Sequence, residues 1–409
     1  MIRTAARPAR TAVTFTLALA LAGGLSGCGG GAPAPTELPS APHPLVIVAI
    51  DGLRADRVGA LGASVGKTPN LDALARESVA FTWAFAQAPQ GAPSLATVLT
   101  GVYPSTHGVR QPGEALADEA LALGEILAAG RETAAFVEGE GVTADLGFAQ
   151  GFTVFEARPG SGIRDVGARA IAWMKDRAQK NFLLLIESGE PARAGASYDG
   201  ALAAVDGFVG ELLGALRQLD LDDRATLVVF GTNGLDLGEH PADGGPSLHA
   251  TLTRVPLFVR FPGGVRAQVT EEYVELADLG PTLLAANGAA PRGNAHGKSL
   301  LPLVRGEGKP PYIAFGESPR RGGERFVAMA GYQLIRTTEG DRSELYRLST
   351  DPLGLADVSA TEAQRVAVLS DHLAAWEKLV AVSSLDPDKQ AAPLDDATLE
   401  KLKSLGYVQ

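Results

Sequence analysis

The amino-acid sequence predicts an α/β fold: a large, mostly parallel sheet covered by helices on both faces, plus a small C-terminal α+β subdomain. Three observations lead there. Short apolar runs at residues 45–50, 133–137, 182–186, 226–230 and 256–260 have the length and continuity of parallel strands buried on both faces. Amphipathic stretches at 71–78, 116–129, 166–177 and 198–219 lie between and beside them, as a strand–helix alternation requires. A chain of 409 residues, 45% of them hydrophobic, has apolar surface enough for one large core and a smaller one.

The N-terminal end stands apart from that core. MIRTAARPAR carries three arginines and no acid, and TAVTFTLALALAGGLSG is apolar but too short for an ordinary membrane-spanning helix. With LSGC closing it, residues 1–27 read as a bacterial lipoprotein signal peptide cut before Cys28, the sole cysteine, whose expected use is lipid attachment. Residues 28–43 then form a Gly/Pro/Ser tether. Gly29 is not the Asp that often retains lipoproteins at an inner membrane. The expected location is therefore the bacterial cell envelope, at the outer membrane where there are two. The formal net charge is −11, and losing three arginines makes the remainder more acidic. Such a field argues against binding nucleic acid or anionic lipid through overall charge. The α/β domain is expected over 44–308. A polar Gly/Pro stretch near 306–311 opens the subdomain, 309–409, with antiparallel strands in IAFGES, RFVAMAG and YQLIRT and a helix near 362–382.

In such a sheet, functional groups collect at the C-terminal strand ends: Asp51, the loop after Glu187 and the loop after Phe230. The chain is organised around residues 68–101. There a helix initiated by Pro93 presents free backbone N–H groups, and with Asp51 it makes a cradle for a metal and an anionic ester. AIDGLRADRVGALG, TPNLDALARESVAFTWAFAQAP and APSLATVLTGVYPSTHGVR together resemble the N-terminal half of the sulfatase family, in the alkaline-phosphatase superfamily. VELADLGPTLLAANGAAP, HGKSLLPLVRGE, ELYRLSTDPLGLADVSA and LEKLKSLGYVQ continue the resemblance in family order over nearly all of 44–409. It implies the fold, an ester hydrolase, and a divalent metal.

The resemblance also implies where the chemistry belongs. The nucleophile, a Cys, Ser or Thr two residues before the helix Pro, falls on Gly91, and the Arg or His two residues after it falls on Leu95. Asp51 matches the first metal-ligating Asp, while Gly52 takes the place of an Asp or Thr. In FGTNGLDLGEH, alignment on Gly234 and residues 237–240 puts Thr232 at a metal-Asp position, Asn233 at a His or Asn, and Leu235 at a Glu. Sliding by one puts Asn233 on the Asp. Asp236 reads as a solvated loop acid, and so do Glu187 and Glu190, beside Ala192 in a His position. Of the six histidines, His43 is in the tether, His372 in the terminal helix, and His107 and His296 in turns. His240 and His249 are near enough to approach the pocket, though they read as surface or loop residues.

Glycine offers no atom to activate as a nucleophile. Asp51 with Asn233 brings one charge where a hard divalent cation takes several oxygens. The first reading is therefore a catalytically inactive, lipid-anchored binding or scaffold protein. It has no catalytic residue, no cofactor beyond weakly held calcium or magnesium at Asp51 and Asn233, and a pocket suited to an anionic sugar or headgroup. The second keeps hydrolysis of sulfuric or phosphoric esters or phosphonates. Ser94 is its fallback nucleophile, with Thr97 or Thr232 as alternatives and metal on Asp51, Asn233 and Asp236. Headgroup or phosphoryl transfer, a third reading, needs the same nucleophile.

Overall fold

LVIVAID, rich in β-branched residues and free of charge until its last position, forms the central strand β1, Leu45–Asp51. In this computed structural model the described residues are 37–63, 68–240, 247–263, 265–290, 295–320, 323–338, 342–385, 393–405 and 407. The expected signal peptide, Cys28 and the first part of the tether lie outside them. β1 pairs in parallel with β5 (Phe182–Ser188) and β6 (Thr226–Asn233). Leu45, Ile47 and Ala49 enter the core on one face, and Val46, Val48 and Ile50 enter the core on the other, all fully buried. That alternation fixes the register, because a one-residue slip would exchange the two faces.

The full sheet has the order β4-β3-β5-β1-β6-β7-β2-β8, adding β2 (Val79–Phe85), β3 (Glu132–Val137), β4 (Val154–Ala157), β7 (Arg254–Arg260) and β8 (Gln268–Glu275). One face is covered by α1 (Pro69–Arg76), α5 (Ile163–Lys175) and α7 (Tyr198–Gln218). The other is covered by α2 (Gly91–Thr100), α4 (Leu123–Leu127), α9 (Leu279–Ala286) and α10 (Leu301–Val304). The short helices α3 (Pro104–His107), α6 (Glu190–Arg193) and α8 (Ala250–Thr253) sit in connections. A second sheet, antiparallel and ordered β12-β11-β10-β9, comprises β9 (Ala314–Ser318), β10 (Glu324–Met329), β11 (Tyr332–Thr337) and β12 (Ser343–Tyr346). α11 (Ala363–Val382) packs on it through Leu369, Leu373 and Trp376, and α12 (Asp396–Ser404) follows. The Gln87 side chain joins the two sheets, donating to the Phe315 carbonyl at 3.2 Å and accepting from the Ala277 N–H at 3.1 Å. No helix among the described residues is long and apolar enough to cross a membrane.

Three expectations change. The run at 256–260 is buried as expected, but β7 lies antiparallel to both neighbours. The chain re-enters the sheet from the end where β6 left it, with only four-residue α8 as a helix among the described residues between, and a parallel strand needs a full crossover. The stretch at 116–129 is helical only over α4. Leu116 and Ala117 instead donate to the carbonyls of Leu146 and His107, so distant partners replace the local ladder. Helix α2 starts at Gly91, two residues before Pro93, whose missing N–H falls among the first-turn groups that have no intrahelical acceptor.

Candidate functional site

The C-terminal ends of β1, β5 and β6 converge where α2 begins. Asp51 ends β1, and its neighbour across the ladder is Asn233, at the end of β6. A Cβ placed on Gly91 would lie 2.5 Å from Asp51 Oδ2 and 2.7 Å from its Cγ. As the carboxylate stands, any side chain at position 91 would require it or the start of α2 to shift. Residue Asp51 is half-buried, but its Oδ1 is out of water and has no hydrogen-bond partner among the described residues. Burial pushes its pKa up to about 6, against the opposing pull of the Asn233 amide and the Arg193 charge.

Gly52 is closed as well. Its φ is +83°, and a Cβ there would stand 2.6 Å from the backbone nitrogen of Ala192 on α6. An Asp at this position would be both strained and blocked. Ala192 thus does reach the site, as backbone packed on Gly52. On the β6 side the Thr232 hydroxyl donates to Asn233 Oδ1 at 3.2 Å, while Asn233 Nδ2 donates to the Gly234 carbonyl at 2.9 Å. Leu235 packs against the helical core and its carbonyl accepts from Arg54 at 2.9 Å. Arg54, fully buried, also pairs with Asp56 and with Glu239 at 2.7 Å and so pins this loop. Sequence reasoning missed that arginine, because its partner is 185 residues away.

Glu187 differs from expectation. The strand runs two residues beyond the apolar segment, so this acid lies buried at the sheet end, 3% exposed, and not in a solvated loop. Its Oε2 accepts from the N–H groups of Gly139 and Glu138 at 2.8 and 3.2 Å. Burial, with the nearby Asp51 charge adding to it, pushes its pKa up to about 8 against the backbone hydrogen bond from Gly139. It carries a proton at neutral pH. Beside it, buried Glu138 pairs with Arg193 and accepts from Ser188 Oγ at 2.5 Å. Glu190 is half-buried and accepts from the Ile163 N–H, at the start of α5, at 2.8 Å.

The substitute nucleophiles are spent on structure. Ser94 is buried and donates to the Ala88 carbonyl at 3.0 Å, and Leu95 is core. Thr97 Oγ1 lies 3.0 Å from His107 Nε2, a spacing that would suit a hydroxyl and its base. The proton runs the other way. The Val109 N–H donates to His107 Nδ1 at 3.2 Å, which leaves the imidazole proton on Nε2 pointing at Thr97, while the Thr97 hydroxyl donates to the Pro93 carbonyl at 3.1 Å. Burial lowers the His107 pKa to about 3, keeping it neutral. His107→Ala is expected to lose about 2–4 kcal/mol in urea denaturation, through the cavity and the orphaned Val109 N–H.

His240 and His249 are not surface residues: His249 is buried and so is the His240 side chain. Their rings stack at 3.8 Å, with nitrogens engaged by Asp236 and the Gly354 carbonyl on one ring, Ser247 and Tyr346 on the other. Asp236 is a loop acid, as expected, but one fully used. It accepts from the N–H groups of Gly238 and Glu239 at 2.8 and 3.0 Å, and these bonds with His240 hold its pKa low despite partial burial.

Of the positions that the resemblance assigns to a metal, Asp51 supplies one carboxylate and Asn233 one side-chain amide whose oxygen already accepts a hydrogen bond. Nearby Glu187 is engaged by the N–H groups of Gly139 and Glu138. Among the described residues no three His, Cys, Asp or Glu side chains gather as a metal site. These residues do not fit the several oxygen ligands a hard divalent cation takes.

A doubly covered sheet with an Asp at the end of its central strand, facing a helix N-terminus, is the framework of the alkaline-phosphatase superfamily. The sulfatase family model matches residues 44–186 and 159–289, and that of the N-sulphoglucosamine sulphohydrolase C-terminal region matches 239–379. The chain belongs to the sulfatase family. It is 27% identical over 167 residues to N-acetylglucosamine-6-O-sulfatase of Bacteroides thetaiotaomicron, an alignment covering 38% of this chain and 30% of that protein. Against arylsulfatase A of Bos taurus it is 26% identical over 378 residues, covering 73% and 72%. Among solved structures, a putative sulfatase from Bacteroides thetaiotaomicron superimposes with a TM-score of 0.72 at 19% identity, covering 87% of this chain and 96% of that one. The phosphonate monoester hydrolase of Agrobacterium radiobacter gives 0.68 at 19% identity, covering 86% and 100%. At such identities the likeness is one of fold.

Proposed function

We propose that this chain is a sulfatase-fold protein that has given up ester hydrolysis and acts as a lipid-anchored binding or scaffold protein of the bacterial cell envelope. One observation carries the reading: the Asp51 carboxylate stands where the nucleophile's side chain would have to be, 2.5 Å from a Cβ at Gly91. Restoring a nucleophile side chain would displace the one matched metal ligand or shift the start of α2. The blocked Gly52 and the self-satisfied Thr232–Asn233 pair support the same reading. Fold and site are separable, since the sheet is held by residues that take no part in chemistry.

The anchor belongs to this proposal. Leu38 is buried, and His43 Nε2 lies 2.7 Å from Thr226 Oγ1 at the start of β6. The described end of the tether is therefore fixed at the N-terminal ends of β1 and β6. Lipid on Cys28 would tether the protein to the membrane, the outer one where there are two. The ligand class is an anionic sugar or headgroup, and no divalent cation is needed. Hydrolysis by a relocated nucleophile is the competing reading, favoured by the sulfatase names of the relatives alone.

Calorimetric titration of Ca²⁺, Mg²⁺, Mn²⁺ and Zn²⁺ into metal-free protein, with Asp51→Ala as control, separates the two. The expected result is no binding tighter than about millimolar, the weak end for calcium sites. Micromolar binding abolished in Asp51→Ala would sink the proposal and call for a screen of sulfate and phosphate esters.

A further inference from the structure

Residues 37–43, the last of the tether, are held against the α/β domain without joining a strand or helix. Leu38 is buried among the core residues on the α2 side of the sheet. The Ser40 carbonyl lies against Gly288, just after α9, where a Cβ would stand 2.5 Å from its oxygen and φ is +70°, so glycine suits the close approach. Asn181 Nδ2 donates to the Pro42 carbonyl at 3.2 Å, and the His43 backbone N–H donates to Asn287 Oδ1 at 3.3 Å. Arg131 closes the set, donating to the His43 carbonyl at 3.1 Å and to Asn287 Oδ1 at 2.8 Å. An open groove of about 560 Å³ runs along the segment, walled by Asn181, Asp223, Arg224 and Pro262.

His43 is the buried titratable side chain of this segment. Its Nδ1 lies 2.8 Å from the Ala41 carbonyl, which only accepts, so Nδ1 carries the proton. Nε2, 2.7 Å from Thr226 Oγ1, therefore accepts from that hydroxyl. Thr226 is fully buried, and its hydroxyl has no second partner among the described residues. A proton on Nε2 would set N–H against O–H. The hydroxyl would have to turn round and leave its own hydrogen unmade where water does not reach. The charged groups around the segment are Arg131 at the start of β3, Asp223 and Arg224 in the turn before β6, and Glu37 on the segment itself; of these Arg131 acts on the ring. Burial, with the Arg131 charge adding to it, holds the His43 pKa below its ordinary value against the hydrogen bond to Ala41.

We propose that residues 37–43 form a pH-sensitive strap, docked while His43 is neutral and released when its ring takes a second proton. Once released, the ring has the ordinary histidine value near 6.5. Above that value both forms are neutral and docking keeps its full strength. Below it the released strap holds a proton that the docked one lacks. Docking then weakens by up to about tenfold per pH unit, until the docked ring is itself protonated. Leu38 and a handful of hydrogen bonds oppose release, with no backbone ladder to the sheet behind them, so a penalty of that size is a large share of what holds the strap. Release adds seven residues to the span between Cys28 and β1, up to about 25 Å of reach. That gain in reach rests on the lipid-anchored reading; the docking equilibrium does not.

The test uses the full-length chain carrying Cys28→Ser and a nitroxide spin label at Ser40→Cys, a position exposed in the docked strap. Electron paramagnetic resonance lineshapes are recorded from about pH 8 down to about pH 5, on both sides of the free histidine value. The same label at Glu211→Cys, exposed on α7, serves as reference. The expected result is a slow-motion spectrum at the alkaline end, with a fast component that grows at least tenfold toward the acid end while the Glu211 label does not change. His43→Gln, whose amide oxygen accepts from Thr226 and which takes no proton, is expected to make the Ser40 lineshape independent of pH. A lineshape independent of pH with His43 in place, a transition shared with the Glu211 label, or a transition that survives His43→Gln would each overturn the strap. Incorporation of labelled palmitate at Cys28 of the unsubstituted chain tests the anchor separately, so failure of the anchor and failure of the strap are told apart.

Discussion

Gly91→Ser is expected to leave sulfate- and phosphate-ester hydrolysis at the uncatalysed rate while lowering stability by about 1–3 kcal/mol, the cost of forcing atoms into a filled site. Ordinarily, replacing the glycine at a nucleophile position is the obvious way to revive a lost enzyme. Here the added Cβ meets Asp51 Oδ2 at 2.5 Å, so the carboxylate must turn away or the start of α2 must shift. Either movement spoils the arrangement that the new hydroxyl would need. The hydroxyl would also find an acceptor in the carboxylate beside it, with no described carboxylate set to hold a cation that activates it. Denaturation curves and assays with 4-nitrophenyl sulfate and 4-nitrophenyl phosphate check both halves. A double-mutant cycle adds the cause: in an Asp51→Ala background, where the colliding oxygens are gone, Gly91→Ser should cost much less, a coupling expected only of side chains in contact. Ester turnover by Gly91→Ser alone would overturn the proposed function. Additive stability losses would remove the steric account.

The collision also shows what the sequence could and could not disclose. Apolar runs read as buried strands because a strand covered on both faces must be apolar throughout, and five of them proved to be strands of one sheet. That a glycine stands where the family resemblance implies a nucleophile was legible at Gly91. What fills its place was not, since Asp51 and Gly91 meet only through the tertiary packing of β1 against α2. Glu187 was misread for a related reason: polar residues at a strand's end look like the start of a loop until the ladder is seen to continue through Ser188. The reversed β7 was hidden because burial, not direction, shapes a strand's composition.

Glu187→Gln is expected to flatten the fall of stability with rising pH. In the unfolded chain this carboxyl has an ordinary value near 4.5, and in the folded protein it is pushed up to about 8 by burial and the neighbouring Asp51 charge. Between those values the native state holds a proton that the unfolded state has released, so rising pH favours unfolding by up to about 1.4 kcal/mol per unit while that difference is complete. Below the unfolded value both states are protonated and the penalty is absent; above the folded value it is fully developed. Glutamine keeps an oxygen for the N–H groups of Gly139 and Glu138 and never ionises. The variant should therefore match wild type near the acid end of the window and exceed it increasingly toward the alkaline end. Urea midpoints across the window measure this. A constant offset between the two proteins would mean that Glu187 does not keep its proton on folding. Wild type and variant alike retain the same-signed slope of Glu275, also pushed up to about 8, so the variant's curve should tilt less without becoming level. Asp51→Asn supplies the remaining check. It removes one of the charges that raise Glu187, so the alkaline benefit of Glu187→Gln should shrink in that background, tying the two acids to one site.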